Sequence, residues 1–150
     1  MLITAEQIAN LPQERKTHFL NPQAIRHDRS LGDAAGLKNL GVHLISIEPG
    51  CYSTEPHTHH YEEECLLIQQ GFGEALLGDV RSPVGPGDFL AYPTHGQAHS
   101  LYNNGSEPLV CLVIGQRRPF DITDYPNQGK RFFRHDGNKS LIDQGDIENL

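Results

Sequence analysis

The sequence of 150 residues predicts an all-β chain folded as a single domain. Two observations carry that prediction. The chain holds 15 Gly and 10 Pro, which mark frequent turns. The apolar runs CLLIQQG, GEALLGD, GDFLAYP, AHSLYNN and LVCLVIG follow one another closely, each bounded by Gly, Pro, Asn or Asp. Short strands at this pitch point to a sandwich or barrel and not to a parallel α/β sheet.

The elements are expected in the following order. In residues 1–40, Thr4-Ala-Glu-Gln7 reads as a capping box that opens a short helix stopping before Pro12. Ser30-Leu-Gly-Asp33 can open a single helical turn. The rest of this stretch is polar and mixed, and is expected to form an arm lying over the core. From Gly41 the pattern changes: GVHLISIEPG is β-rich and closed by Pro-Gly, so residues 41–115 are taken as the barrel core. Residues 116–150 are read as a C-terminal arm with one added strand, Lys130-Arg-Phe-Phe-Arg134, before the turn signal His135-Asp-Gly-Asn138. The acidic end, LIDQGDIENL, is expected to fray.

Composition excludes several classes of partner. Twelve basic against 19 acidic residues give a formal charge of −7, which argues against nucleic acid and anionic membranes. No apolar run approaches the ~18–20 residues of a membrane span, and the opening MLITAEQIAN lacks the features of a signal peptide. Cys51, Cys65 and Cys111 form no C-x-x-C pair, as expected for reduced thiols in a cytoplasmic protein. Nine histidines ask for metal or proton chemistry.

That chemistry has an obvious place, the stretch PHTHHYEEECLLIQQG from Pro56 to Gly71. On a strand, His57 and His59 share one face with Cα atoms roughly 6.5–7 Å apart, so both imidazoles can lean onto one ion. A carboxylate from Glu62-Glu63-Glu64 can return from the next strand. If Glu64 points inward, so do Leu66 and Ile68, while Cys65 and Leu67 face out. Glu63 is the second choice of ligand, and Glu62 is read as a solvated rim charge. A further ligand is needed, and His99 supplies it from GDFLAYPTHGQAHSLYNN.

With His99 included, the chain resembles the cupin family in both halves of that family's signature. The first half is Gly50, six residues, His57-x-His59, four residues, Glu64, six residues and Gly71. The second is Gly87, five residues, Pro93, two residues, Gly96, two residues, His99, three residues and Asn103. One gap in each half is a residue longer than usual, and both insertions fall in turns, where they cost little. The resemblance covers Gly41 to Gly115. It implies a double-stranded β-helix (jelly-roll) barrel in which His57, His59, Glu64 and His99 bind one divalent metal. Three imidazoles and one carboxylate suit Mn, Fe, Zn or Ni and not Ca or Mg. Asn103 is expected to be structural, at a strand end. The resemblance also implies a homodimer.

Three functions are compatible with such a site. The first is a metal-dependent enzyme on a small sugar-like metabolite, since single-domain cupins with this spacing resemble sugar-phosphate-isomerase-like proteins. Proton movement would then fall to Glu63, His95 or Tyr92. A phosphate would need Arg or Lys, and the sequence places none inside the barrel. The second is an Fe(II) dioxygenase, and the third is a non-catalytic metabolite binder or sensor.

Overall fold

The computed structural model describes all of the chain except Asn149. Helix α1 (Ala5–Asn10) is opened by Thr4 and closed before Pro12, and the capping box is formed in both directions between Thr4 and Gln7. Strands β1 (Glu14–His18) and β2 (Asn21–Ser30) form a hairpin, and Ser30 caps the short helix α2 (Leu31–Ala34). There follow β3 (Leu40–Ile47), the two-residue β4 (Thr58–His59), β5 (Glu64–Gln70), β6 (Gly73–Leu77) and β7 (Val80–Val84). The chain continues through β8 (Phe89–Tyr92), β9 (His99–Tyr102), β10 (Leu109–Gln116) and β11 (Phe120–Tyr125), and closes with β12 (Lys130–His135) and β13 (Asn138–Asp143). All named pairings are antiparallel.

These strands make a six-stranded sheet in the order β1-β2-β3-β10-β5-β8, a four-stranded sheet β13-β12-β11-β4 and a three-stranded sheet β7-β6-β9. The apolar core lies against the inner face of the large sheet and includes Ile45, Ile47, Leu66, Ile68, Leu109 and Cys111. Alternation on β5 is as expected: Leu66 and Ile68 are buried at 5% and 1% exposure, while Leu67 is 38% exposed. The same parity turns Glu64 inward.

Two stretches expected to be arms are built differently. Residues 1–40 contribute β1 and β2, which extend the large sheet beyond β3. Beyond residue 115 the chain forms three strands in place of the single one expected, and Leu141–Asp143, expected to fray, pairs with β12. The reason is one of pattern. Both segments turn polar side chains toward an internal cavity, so they lack the apolar alternation that marks a strand against an oily core.

Two motif residues show why they stand where they do. Gly71 has φ +81°, and a Cβ there would sit 2.3 Å from the Pro108 carbonyl oxygen. Asn103 is fully buried. Its Nδ2 donates to the carbonyls of Ile47 and Glu107, both at 2.8 Å, and its Oδ1 accepts from Gly105 N at 3.0 Å. Asn103→Ala strands those buried partners and is expected to cost about 3 kcal/mol, read as a lower urea midpoint at unchanged m. A midpoint equal to wild type would remove Asn103 from this role.

Candidate metal centre

His57 and His99 face each other as an antiparallel bridge: His57 N donates to His99 O at 3.2 Å, and His99 N to His57 O at 2.9 Å. That exchange places both side chains on one face, and the ring centroids lie 4.5 Å apart. His59, two residues on, adds its ring 4.9 Å from His57 and 6.4 Å from His99. From β5, Glu64 brings Oε1 to 3.8 Å from His99 Nε2. The four expected residues therefore lie side by side, with histidine ring centroids 4.5–6.4 Å apart and Glu64 beside His99.

The donor set fits an ion. His57 Nδ1 lies 2.9 Å from the Glu55 carbonyl oxygen. A carbonyl only accepts, so Nδ1 carries the proton and Nε2 keeps its lone pair. His59 Nδ1 lies 2.6 Å from Asp121 Oδ2, which fixes the same tautomer. Both ring nitrogens of His99 are buried without a hydrogen-bond partner, a costly arrangement for a polar side chain. The His99–Glu64 gap is too long for a hydrogen bond, yet two ligands each ~2.1 Å from one ion can be that far apart.

Electrostatics agree with this reading. Burial pushes the His57 pKa down to about 3, helped by the neighbouring His99 and His59, so its imidazole is neutral. Burial also disfavours charge on His59, but the hydrogen bond and charge of Asp121 outweigh it and its pKa is raised. Burial would raise the Glu64 pKa, but the three histidines around it hold it below the usual range.

A stability prediction follows with a definite sign. Below the ordinary histidine pKa of 6.5, an unfolded chain takes up a proton that folded His57 refuses. His18, lowered to about 4 by burial and by Arg26, acts in the same direction, and His59 opposes it. The metal-free protein should thus lose stability from pH 6.5 downward, with a lower Tm at pH 5 than at pH 7 and a smaller drop in His57→Gln. Equal Tm values at the two pH values would contradict this.

Among the described residues, the group whose possible ligand atoms lie closest together is a different one that shares only His59 with the four. The ligand atoms of His59, Glu62 and Asp121 all fall within 4.8 Å of one another, so by spacing this trio could also hold an ion. Its carboxylates already have partners. Asp121 accepts from Thr123 Oγ1 at 3.1 Å and Tyr61 N at 3.1 Å as well as from His59. Glu62 takes the guanidinium of Arg134 and the backbone N–H of Arg118. Glu62 was expected to be a solvated rim charge. It is 7% exposed, because Arg134 on β12 closes over it.

The candidate proton carriers are scattered. Glu63 is exposed and lines a separate depression with Leu40, Cys65 and Ala91, which Glu64 and Tyr92 also border. His95 is exposed, in a turn with φ 56°, and packs against His60 at 4.9 Å. Neither lines the barrel cavity. Strand parity accounts for Glu63, which faces away from Glu64. Tyr92 is buried and stacks on His99, with ring centroids 3.6 Å apart and planes 6° from parallel.

The cavity has a volume of about 800 Å³ and is lined by His57, His59 and Glu64, the apolar Ile45, Leu66 and Val113, and the basic Lys16, Arg26 and Lys139. These three come from β1, β2 and β13, strands that sequence analysis missed, and Arg134 joins them from the expected β12. Asp121 was missed too. Its one sequence signal was the alternating FDITDY of β11, which turns Asp121, Thr123 and Tyr125 inward at 3%, 4% and 6% exposure.

Comparison with known proteins agrees with this picture. A cupin domain model matches residues 43–115. The chain is 52% identical, with a TM-score of 0.97, to the structure of a candidate sugar phosphate isomerase from Acidithiobacillus ferrooxidans, covering 99% of this chain and 96% of that one. The chain belongs to the cupin family. A cupin-superfamily sugar phosphate isomerase from Silicibacter pomeroyi shares the fold with a TM-score of 0.85 at 24% identity, covering 100% of this chain and 97% of that one. This cupin is also 28% identical over 128 residues to auxin-binding protein 1 of Arabidopsis thaliana, a match that takes in 79% of this chain. It spans 61% of that plant protein's length, less than two thirds. Among the described residues, no helix of this cupin is long and apolar enough to cross a membrane.

Proposed function

We propose that this cupin is a metal-dependent isomerase of small sugar phosphates, with His57, His59, Glu64 and His99 as ligands to one Mn, Fe, Zn or Ni ion. The observation that carries the reading is His99, whose buried, unpartnered nitrogens face His57 and Glu64 beside a cavity large enough for a small metabolite. The 52% identical relative supports the choice of substrate class. The many polar and charged side chains of the lining, of both signs, favour this reading over the dioxygenase.

The bound ion would supply a Lewis acid that polarises a sugar carbonyl. The chain's own residues do the rest. Asp121 holds His59 in the Nδ1–H tautomer, and Tyr92 fixes the plane of His99. Ile45, Leu66 and Val113 form an apolar wall that limits water around the reacting carbons. Glu62 already accepts from the Arg134 guanidinium and the Arg118 backbone N–H. Proton movement between adjacent carbons falls to His43, which lines the cavity. Its Nδ1 lies 2.9 Å from Asp28 Oδ1, a pairing that puts the proton on Nδ1 and the lone pair on Nε2, which the substrate would have to reach past the Arg117 guanidinium 3.5 Å away.

The test is metal content by mass spectrometry together with solvent-deuterium incorporation into aldose and ketose phosphates. About one transition metal per chain and exchange at the carbon next to the carbonyl are expected. Metal-free protein after reconstitution, or no exchange across five- and six-carbon sugar phosphates, would overturn the reading. His43→Gln should keep its metal and lose roughly 10²–10⁴-fold in exchange rate. Wild-type exchange in that variant would remove His43 from this role.

A further inference from the structure

Lys16 and Arg26 are direct cross-strand partners in the β1–β2 hairpin, and both line the cavity. Like charges directly opposite each other on a sheet are destabilising, so the pair needs a reason. Lys16 has two local counter-charges, Asp28 Oδ2 at 2.6 Å and Glu14 Oε2 at 3.4 Å. Arg26 has no carboxylate within ion-pair distance among the described residues. It donates Nη1 to the Ser53 carbonyl at 2.6 Å, which orients the guanidinium and leaves its other N–H groups available.

Its position relative to the histidines matters as much as its charge. Tyr125 lines the cavity with them, its ring 5.9 Å from His57 and 5.3 Å from His18. Arg26 lines the same cavity as His57 and His59, so one small molecule filling that cavity can face both the guanidinium and the imidazoles. A small substrate whose oxygens reach the histidines would carry its far end to Arg26.

Resting on the isomerase reading, we infer that Arg26, assisted by Lys16, is the subsite for the phosphate monoester of the substrate. The guanidinium fork matches two phosphate oxygens, and a dianion set between Lys16 and Arg26 would relieve their repulsion. A dianion can compete with Asp28 for Lys16, and a monoanionic carboxylate competes less well. The subsite thereby discriminates phosphorylated from neutral sugars.

The test uses the metal-loaded wild type, Arg26→Gln and Arg26→Lys, titrated calorimetrically with inorganic phosphate, acetate, fructose 6-phosphate and fructose. Phosphate and fructose 6-phosphate should bind at least ten-fold more weakly to Arg26→Gln, with partial recovery in Arg26→Lys. Fructose should bind all three alike, and acetate at least ten-fold more weakly than phosphate to the wild type. Metal content should be equal in the three proteins. Equal phosphate affinity in wild type and Arg26→Gln, no phosphate binding to the wild type at millimolar concentration, or acetate binding as tightly as phosphate would each overturn the subsite. If Arg26→Gln shows no cooperative melting, Lys16→Gln takes its place with a few-fold loss expected, and an unchanged affinity there counts against the subsite. Absence of metal from all three proteins would sink the isomerase reading, while the phosphate arms would still decide the subsite.

Discussion

His99→Ala is expected to abolish metal binding, taking the protein from about one transition metal per chain to a small fraction of one. His99 has no other partner for either ring nitrogen, so its removal subtracts a ligand and leaves the rest of the hydrogen-bond network in place. Removing a partner that merely orients a ligand typically costs 10–100-fold in affinity, and losing a ligand itself should cost more. The protein should stay folded. The alanine leaves space beneath Tyr92, but it also removes a buried imidazole whose nitrogens are unpaired in the metal-free chain. The metal-free variant should therefore melt within a few degrees of the metal-free wild type, whereas the loaded wild type should melt higher than either. Stoichiometric metal in His99→Ala would place the ion elsewhere, with the trio of His59, Glu62 and Asp121 as the next set to mutate.

Asp121→Asn should weaken metal affinity by roughly 10–100-fold without removing any of the four proposed ligands. The carboxylate is 3% exposed and accepts from His59, Thr123 and the Tyr61 backbone, so it is held in place and in turn holds the His59 ring. An amide of the same shape keeps the packing. It removes the negative charge that raises the His59 pKa, and it can present N–H where an acceptor is needed. Competition titration against a chelator would measure the loss. Thr123→Val is the control: its hydroxyl lies 3.3 Å from His59 Nδ1 and 3.1 Å from Asp121 Oδ2, and its removal should cost far less. If Asp121→Asn bound metal as tightly as the wild type, Asp121 would be a structural residue of β11 and no more.

Three of the four proposed ligands were legible because their signal is local, and His99 was reached through the second half of the motif. His57, His59 and Glu64 lie within eight consecutive positions, and the spacing to Gly71 favoured Glu64 with Glu63 as second choice. The capping box at Thr4 and the turn at Gly71 were legible for the same reason. Asp121 was not, since it meets His59 across 62 positions and nothing in a pair of residues so far apart announces contact. The strands that carry Lys16, Arg26 and Asp121 were hidden by their task. A strand facing a polar cavity buries the charged residues that normally mark the outside, so β1, β2 and β11 read as solvated chain. Glu63 and His95 were chosen as proton carriers by nearness in sequence, and parity and a tight turn carry them away from the cavity.

The Tyr92–His99 stack also makes the protein its own optical probe. The chain has five tyrosines and no tryptophan, so its ultraviolet emission comes from phenols alone. One of these lies 3.6 Å from an imidazole proposed to bind the ion, and Tyr125 lies 5.9 Å from another. Two of the five fluorophores would then sense a change in electron density at the ligands directly. Loading of the site can accordingly be followed in real time by intrinsic emission, with no label and no coupled assay, and Tyr92→Phe should remove the larger part of that signal.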